Sequence, residues 1–200
     1  MTNKIGLVLI LTVCGWGCCA QAEQPRFTVG LEVEGETVLH LTYSAHPLEN
    51  PEDIENLLKG RLSRQDLDEF NLGTKFAKVA TLEAKKDLVL GQIELKAGKY
   101  QAGFNADEKG NLYFVVWVDG KTKKTQLEVK DLKGDKVPFL TFLCGPLEEG
   151  SALIAIYSNH YSVIPLKVAG FNKAKDSSDA SSEDEDWKKA TDNLDGFSGR

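Results

Sequence analysis

Two hundred residues, with 30 acidic and 24 basic side chains, carry a net charge of −6, an apolar share of 42% and a charged share of 27%. A chain of this length holds one domain with little left over, and its composition excludes collagen-like, disulfide-scaffold and wholly disordered classes. No large basic field is present, which argues against nucleic acid as the main partner.

The first segment reads as an export signal. Lys4 supplies a positive start, and an apolar run of nine residues follows from Ile5 to Val13. That run is far shorter than the ~20 residues a bilayer-spanning helix requires. Ala20-Gln21-Ala22 then offers the small-x-small pattern cleaved before Glu23. The expected organisation is a signal peptide over 1–22, a folded domain over 23–170 and a tail over 171–200. Export places the mature chain in the periplasm, in the cell envelope or outside the cell. A membrane becomes a partner only if Cys18 or Cys19 is lipidated, and Gly15-Trp16-Gly17 fits a lipidation signal poorly. Cleavage after Ala22 removes Cys14, Cys18 and Cys19, leaving Cys144 with no intrachain partner.

The mature chain opens with alternating segments. Phe27, Val29, Leu31 and Val33 alternate with polar neighbours, as do Leu39, Leu41 and Tyr43, which puts Val38, His40 and Thr42 on the other face. A helical insertion near 51–70 comes next. Asn50 caps it, Pro51 takes its first position, and Glu52 and Asp53 sit at the positive end of its dipole. Ile54, Leu57 and Leu58 form its apolar stripe and Gly60 stops it; Ser63 caps a second turn carrying Leu67 and Phe70. The insertion is expected over one end of the fold, as a plug of the core rather than a lid on a pocket.

Strand patterns then recur over 76–84, 88–95, 99–105, 112–119, 125–132, 138–144, 152–157 and 161–168, separated mostly by Gly-, Asp- and Asn-rich turns. Asp119-Gly120 is the clearest hairpin signal, since both central residues of a type I′ turn need positive φ. About ten short strands at this spacing predict an all-β antiparallel sandwich, with a barrel as the alternative closure. Beyond Phe171 the sequence is rich in Ser, Asp, Glu and Lys, and Phe171, Trp187, Leu194 and Phe197 are too scattered to bury a face. A disordered acidic tail is expected, with Trp187 as a possible docking point.

Leu41-Thr42-Tyr43-Ser44 with Pro47, Gly73-Thr74-Lys75-Phe76, Ala80-Thr81-Leu82, the run from Leu95 to Tyr100, Ser151 to Ile154 and Val163 to Val168 occur in one order. Over about 38–168 this pattern resembles the bacterial exported domain-of-unknown-function family numbered 2911, whose members are small sandwiches behind signal peptides. The resemblance implies fold and export. It supplies no activity, because the family's polar Trp-Arg-x-Gly-Ala-Asn-Glu-x-Thr stretch corresponds to the bare segment from Phe76 to Thr81.

No chemical constellation rises above the background. His40, His46 and His160 lack the HxH, HxxxH or HExxH spacing of a metal site and read as separate surface histidines, so no metal or cofactor is expected. The loop from Asn105 to Asn111 has oxygen ligands at alternate positions, but Lys109 opposes Ca²⁺ and a hairpin turn explains the residues better. Ser44 near His46 lacks a nucleophile elbow, and Cys144 sits on a strand face as an inert hydrophobe. The segment from Leu112 to Val118 is apolar on both faces, with Tyr113, Val115 and Trp117 sharing one of them; an exposed aromatic strip of this kind stacks sugar rings. The expected function is an exported, non-enzymatic binding module for a small molecule, a glycan or an envelope protein. Its candidate residues are Tyr43, His46, Tyr113, Trp117 and His160. The alternative is an extracytoplasmic hydrolase-like enzyme in which His46 and His160 meet at one end of the sandwich.

Overall fold

The computed structural model describes residues 25–33, 35–45, 51–73, 75–134, 136–147 and 150–168. The export segment with Cys18 and Cys19, His46, the Asn50 cap and the acidic tail lie outside the described residues.

Twelve strands and two helices follow one another as β1 (Arg26–Val33), β2 (Glu36–Ser44), α1 (Pro51–Leu58), α2 (Arg64–Leu72), β3 (Ala80–Ala84), β4 (Leu88–Leu90), β5 (Ile93–Leu95), β6 (Gly98–Ala106), β7 (Leu112–Val118), β8 (Lys121–Gln126), β9 (Val129–Asp131), β10 (Val137–Leu147), β11 (Gly150–Ser158) and β12 (His160–Val168). They build two antiparallel six-strand sheets. The first runs β1-β2-β3-β6-β7-β8; the second runs β10-β11-β12-β4-β5, with β9 pairing β12 beside β4. The alternation that predicts strands also predicts which face is inside. Val29 and Leu31, Leu39, Leu41 and Tyr43, Phe104, Leu112, Phe114 and Val116 point inward from the first sheet, and Leu140, Phe142, Leu153, Tyr157 and Ile164 meet them from the second. Phe142 is fully buried, and its ring lies 5.0 Å from Tyr43, 5.7 Å from Phe104 and 6.5 Å from Phe114. This aromatic cluster joins the two sheets.

Three expected strands are shortened or divided, each for a visible reason. The segment 76–84 is a strand only from Ala80, because residues 75–78 turn and the chain crosses β6. Phe104 N–H donates to Phe76 O at 2.9 Å. A Cβ on Gly103 would come within 2.3 Å of Phe76 O and 2.2 Å of Ala77 O, so only glycine admits this crossing. The segment 88–95 breaks at Gly91, which has φ +62° and opens a hairpin pairing Leu90 with Ile93. The segment 125–132 leaves the first sheet after Gln126 and joins the second as β9. Single-sequence periodicity does not register a strand that changes sheets. The Asp119-Gly120 turn has φ +51° and +74°, as a type I′ turn demands.

The helices close one end. Ser63 Oγ accepts from Asp66 N–H at 3.2 Å, as an N-cap should. Ile54, Leu57 and Leu67 are buried in the common core, and Phe70 stacks on Phe76 at 5.1 Å. Asn71 exchanges two hydrogen bonds with the backbone of Ala106, at 2.9 and 2.8 Å, so α2 is tied to β6 by a side-chain amide acting as a short strand. The free space below the cap is an apolar cavity of about 20 Å³ between Ile54, Leu57, Phe70, Phe104, Leu140 and Tyr157. That is scarcely more than one water occupies, so the insertion is a plug.

Candidate functional site

The outer face of the first sheet is built by register. The pairings Thr28↔Thr42, Thr42↔Thr81, Thr81↔Gln101, Gln101↔Trp117 and Trp117↔Thr122 set six outward side chains in one line across all six strands. With strands ~4.8 Å apart, the line spans roughly 24 Å. Its members bond along it: Thr28 and Thr42 hydroxyls lie 3.0 Å apart, and Gln101 Nε2 donates to Thr81 Oγ1 at 3.3 Å. Thr81, Gln101 and Thr122 are exposed, and Thr28, Thr42 and Trp117 are half-buried. The row is thus a flat line of hydroxyl and amide groups with an indole near one end.

Tyr113 lies two residues from Val115 and four from Trp117 on the same face, half-buried. Val115 between them is fully buried. Lysines rest on both aromatic rings. The Lys124 ammonium is 4.3 Å from the Tyr113 centroid, and that of Lys78 is 5.6 Å from Trp117. The Tyr113 hydroxyl donates to Asp107 Oδ2 at 3.2 Å; loss of solvent first, and this bond to a carboxylate second, raise its pKa. The expected aromatic strip therefore exists as two separate rings, each with a cation over it.

Tyr43 is corrected. It is 5% exposed and faces the core, because it shares its strand phase with Leu39 and Leu41, and Phe142 meets its ring edge-on. Burial pushes its phenol up, and a ligand on the surface has no access to it. His46 lies outside the described residues.

His160 is corrected as well: it is a core-facing residue, 6% exposed, where a surface histidine was expected. The β11–β12 hairpin turns at Ser158-Asn159 and pairs Tyr157 with His160, which aims the imidazole inward. Its Nδ1 lies 3.0 Å from Asp131 Oδ1 on β9, and its Nε2 lies 3.1 Å from Glu55 Oε1 on α1. Each ring nitrogen thus faces a carboxylate oxygen, one on β9 and one on α1. Lys59 approaches Glu55 at 2.8 Å from just past the end of α1. Lys59 first and His160 second hold the Glu55 carboxyl at about 2. Both imidazole nitrogens are thereby engaged, so neither is a ready base and the three groups do not converge on a metal position. Among the described residues no group of three or more His, Cys, Asp or Glu side chains is arranged to hold a metal ion. The arrangement ties three elements together.

The 105–111 loop is a hydrogen-bonded turn. Asp107 accepts from the backbone N–H of Lys109 and Asn111, at 2.9 and 3.0 Å, and from the Asn111 side chain at 2.8 Å. Asn111 leads the donors that hold its carboxyl at about 2, and with those oxygens occupied the loop has no set of ligands free for calcium. Cys144 is buried among apolar groups that push its thiol up to about 12, so it is inert at neutral pH. The residues that sequence reasoning missed are Thr28, Thr42, Thr81, Gln101, Thr122, Glu55 and Asp131. Each threonine stands at an outward strand position, but only the register reveals that they share a line. No model of a protein family matches the chain, and no curated protein or solved structure matches it either.

Proposed function

We propose that this chain is an exported, non-enzymatic binding module, and that the outer face of its first sheet takes an extended polysaccharide. The row from Thr28 to Thr122 carries this reading. Hydroxyls and amides at strand spacing match the donors and acceptors along a sugar chain, and the Trp117 indole offers a face for one ring. Export rests on the N-terminal sequence pattern and on the resemblance to the exported family. The lysines at positions 78 and 124 must swing off their rings to admit a neutral sugar, whereas an acidic sugar draws them to its carboxylates.

The test is affinity electrophoresis of the purified protein through gels holding neutral or uronate-bearing polysaccharides. Retardation by at least one of them, lost in Trp117→Ala and weakened in Gln101→Ala, is the expected result. No retardation by any glycan, or full retention in Trp117→Ala, overturns the reading.

A further inference from the structure

The members of the polar row are uncharged, and the cations beside its Trp117 end are lysines. Lys124 follows Thr122 by two residues on β8 and shares its outward phase, ~6.8 Å along the strand. Lys99 stands two residues from Gln101 on β6 in the same way. Lys78, just ahead of β3, brings a third ammonium to 5.6 Å from the Trp117 centroid. Two neighbouring carboxylates already have donors. Glu83 pairs with Lys85 at 2.6 Å and Lys99 at 3.9 Å, and Asp107 accepts from Lys109 N–H, Asn111 N–H and the Tyr113 hydroxyl. Asp119 lies past Trp117 in the hairpin turn. Lys78 and Lys124 differ from Lys99: both are exposed, and among the described residues neither has a carboxylate partner, only a ring beneath its ammonium.

Resting on the polysaccharide reading of this face, we propose that its ligand is a uronate-bearing chain. One sugar ring stacks on Trp117 while Lys78 and Lys124 take carboxylates at the ring edges, and Thr81, Gln101 and Thr122 meet the hydroxyls. The two unpaired ammoniums carry the choice. A cation resting on an exposed ring is held weakly, and a charge-assisted hydrogen bond to a carboxylate is stronger. A uronate that covers Trp117 therefore returns more than Lys78 gives up. A neutral sugar displaces the same lysine and offers it only water and hydroxyls. Charge density narrows the class further. A uronate carries one charge per sugar unit, a sparse pattern that two lysines beside a neutral row can match, whereas densely sulfated chains call for a larger basic cluster. The net charge of −6 opposes adsorption of a polyanion elsewhere on the molecule, which confines capture to this lysine-bearing end.

Titration calorimetry of the full-length gene product, processed by the cell that expresses it, tests this with four probes: polygalacturonate, its methyl ester, a neutral β-glucan and dextran sulfate. Polygalacturonate should bind about tenfold or more tighter than its methyl ester, and should weaken as salt rises. Lys78→Gln combined with Lys124→Gln should cost about tenfold toward polygalacturonate and leave or improve the affinity for the ester, which no longer has to displace a cation. The same change at the exposed Lys130 and Lys167 of the second sheet, a control for overall charge, should alter neither. Equal affinity for acid and ester, or indifference to the loss of Lys78 and Lys124, overturns the uronate proposal; the polysaccharide reading survives that result if Trp117→Ala still abolishes binding. Dextran sulfate bound as tightly as polygalacturonate also overturns the proposal, as adsorption of any polyanion. Binding of none of the four probes sinks both.

Discussion

Removing the imidazole at position 160 is the sharpest test of how this fold is held at its capped end. His160 is 6% exposed and lies 3.0 and 3.1 Å from the Asp131 and Glu55 carboxylates, so His160→Ala loses both contacts and leaves a small void. The Asp131 side chain is 88% exposed and water replaces much of what it loses. Discounting for that, the substitution should cost about 2–3 kcal/mol, most of it from the buried ring and its contacts. For a domain of this size that lowers Tm by about 4–12 °C. The loss should also be local: α1 hangs on Glu55, so hydrogen exchange at Ile54 to Leu58 should accelerate more than exchange at β2 or β11. Acidity gives an independent readout. Glu55 is held at about 2, below its usual range, chiefly by Lys59 and then by His160. The stability its ionisation contributes is therefore complete above the ordinary carboxylate range and drains away as pH falls through about 2. Carbon-detected NMR titration should find Glu55 shifted upward in His160→Ala, and further in Lys59→Met. Unchanged protection of α1, or a Glu55 carboxyl that stays at about 2 without the imidazole, would falsify the clamp.

Phe142→Ala removes the ring shared by Tyr43, Phe104 and Phe114 and should destabilise the fold by about 3–5 kcal/mol in a denaturant titration; a loss under 1 kcal/mol would mean the sheets are joined elsewhere. Gly103→Ala drives a methyl into two backbone oxygens and should cost about 3 kcal/mol or more, with new protease sensitivity at 75–79; a neutral result would show that this crossing is not formed. Ser158→Gly should do the reverse and stabilise by about 1 kcal/mol. Ser158 holds φ +57° and buries a hydroxyl without a partner, and glycine relieves both costs; a lower melting temperature would refute this account.

How far the sequence reaches can be seen in particular residues. Alternation at Val29, Leu31, Leu39 and Leu41 was enough to name strands and their inner face, because side-chain direction in a strand has a period of two and burial follows it. The Asp119-Gly120 turn, the Ser63 cap and the inert Cys144 are equally local, and the chain states them outright. Two short helices between the second and third strands were legible from Pro51, Ile54, Leu57 and Ser63 for the same reason. What failed was anything set by a neighbour remote in sequence. Strand 76–84 lost its first half to a crossing over Gly103, and 125–132 divided between two sheets, events that hydrophobic period does not record.

Sites belong to that second class. His160 has the same neighbours in the sequence whether it faces water or the core; only the hairpin phase and the arrival of Glu55, 105 residues away, decide the matter. Thr28, Thr42, Thr81, Gln101, Trp117 and Thr122 form a line only because five strand pairings keep register, and each pairing is a contact between distant segments. The sequence by itself determined that this is an antiparallel all-β fold with a helical insertion, since local periodicity and turn chemistry are short-range properties. The tertiary structure alone decided which polar groups face one another, because cross-strand register is settled by the packing of the whole core and not by any single stretch of chain.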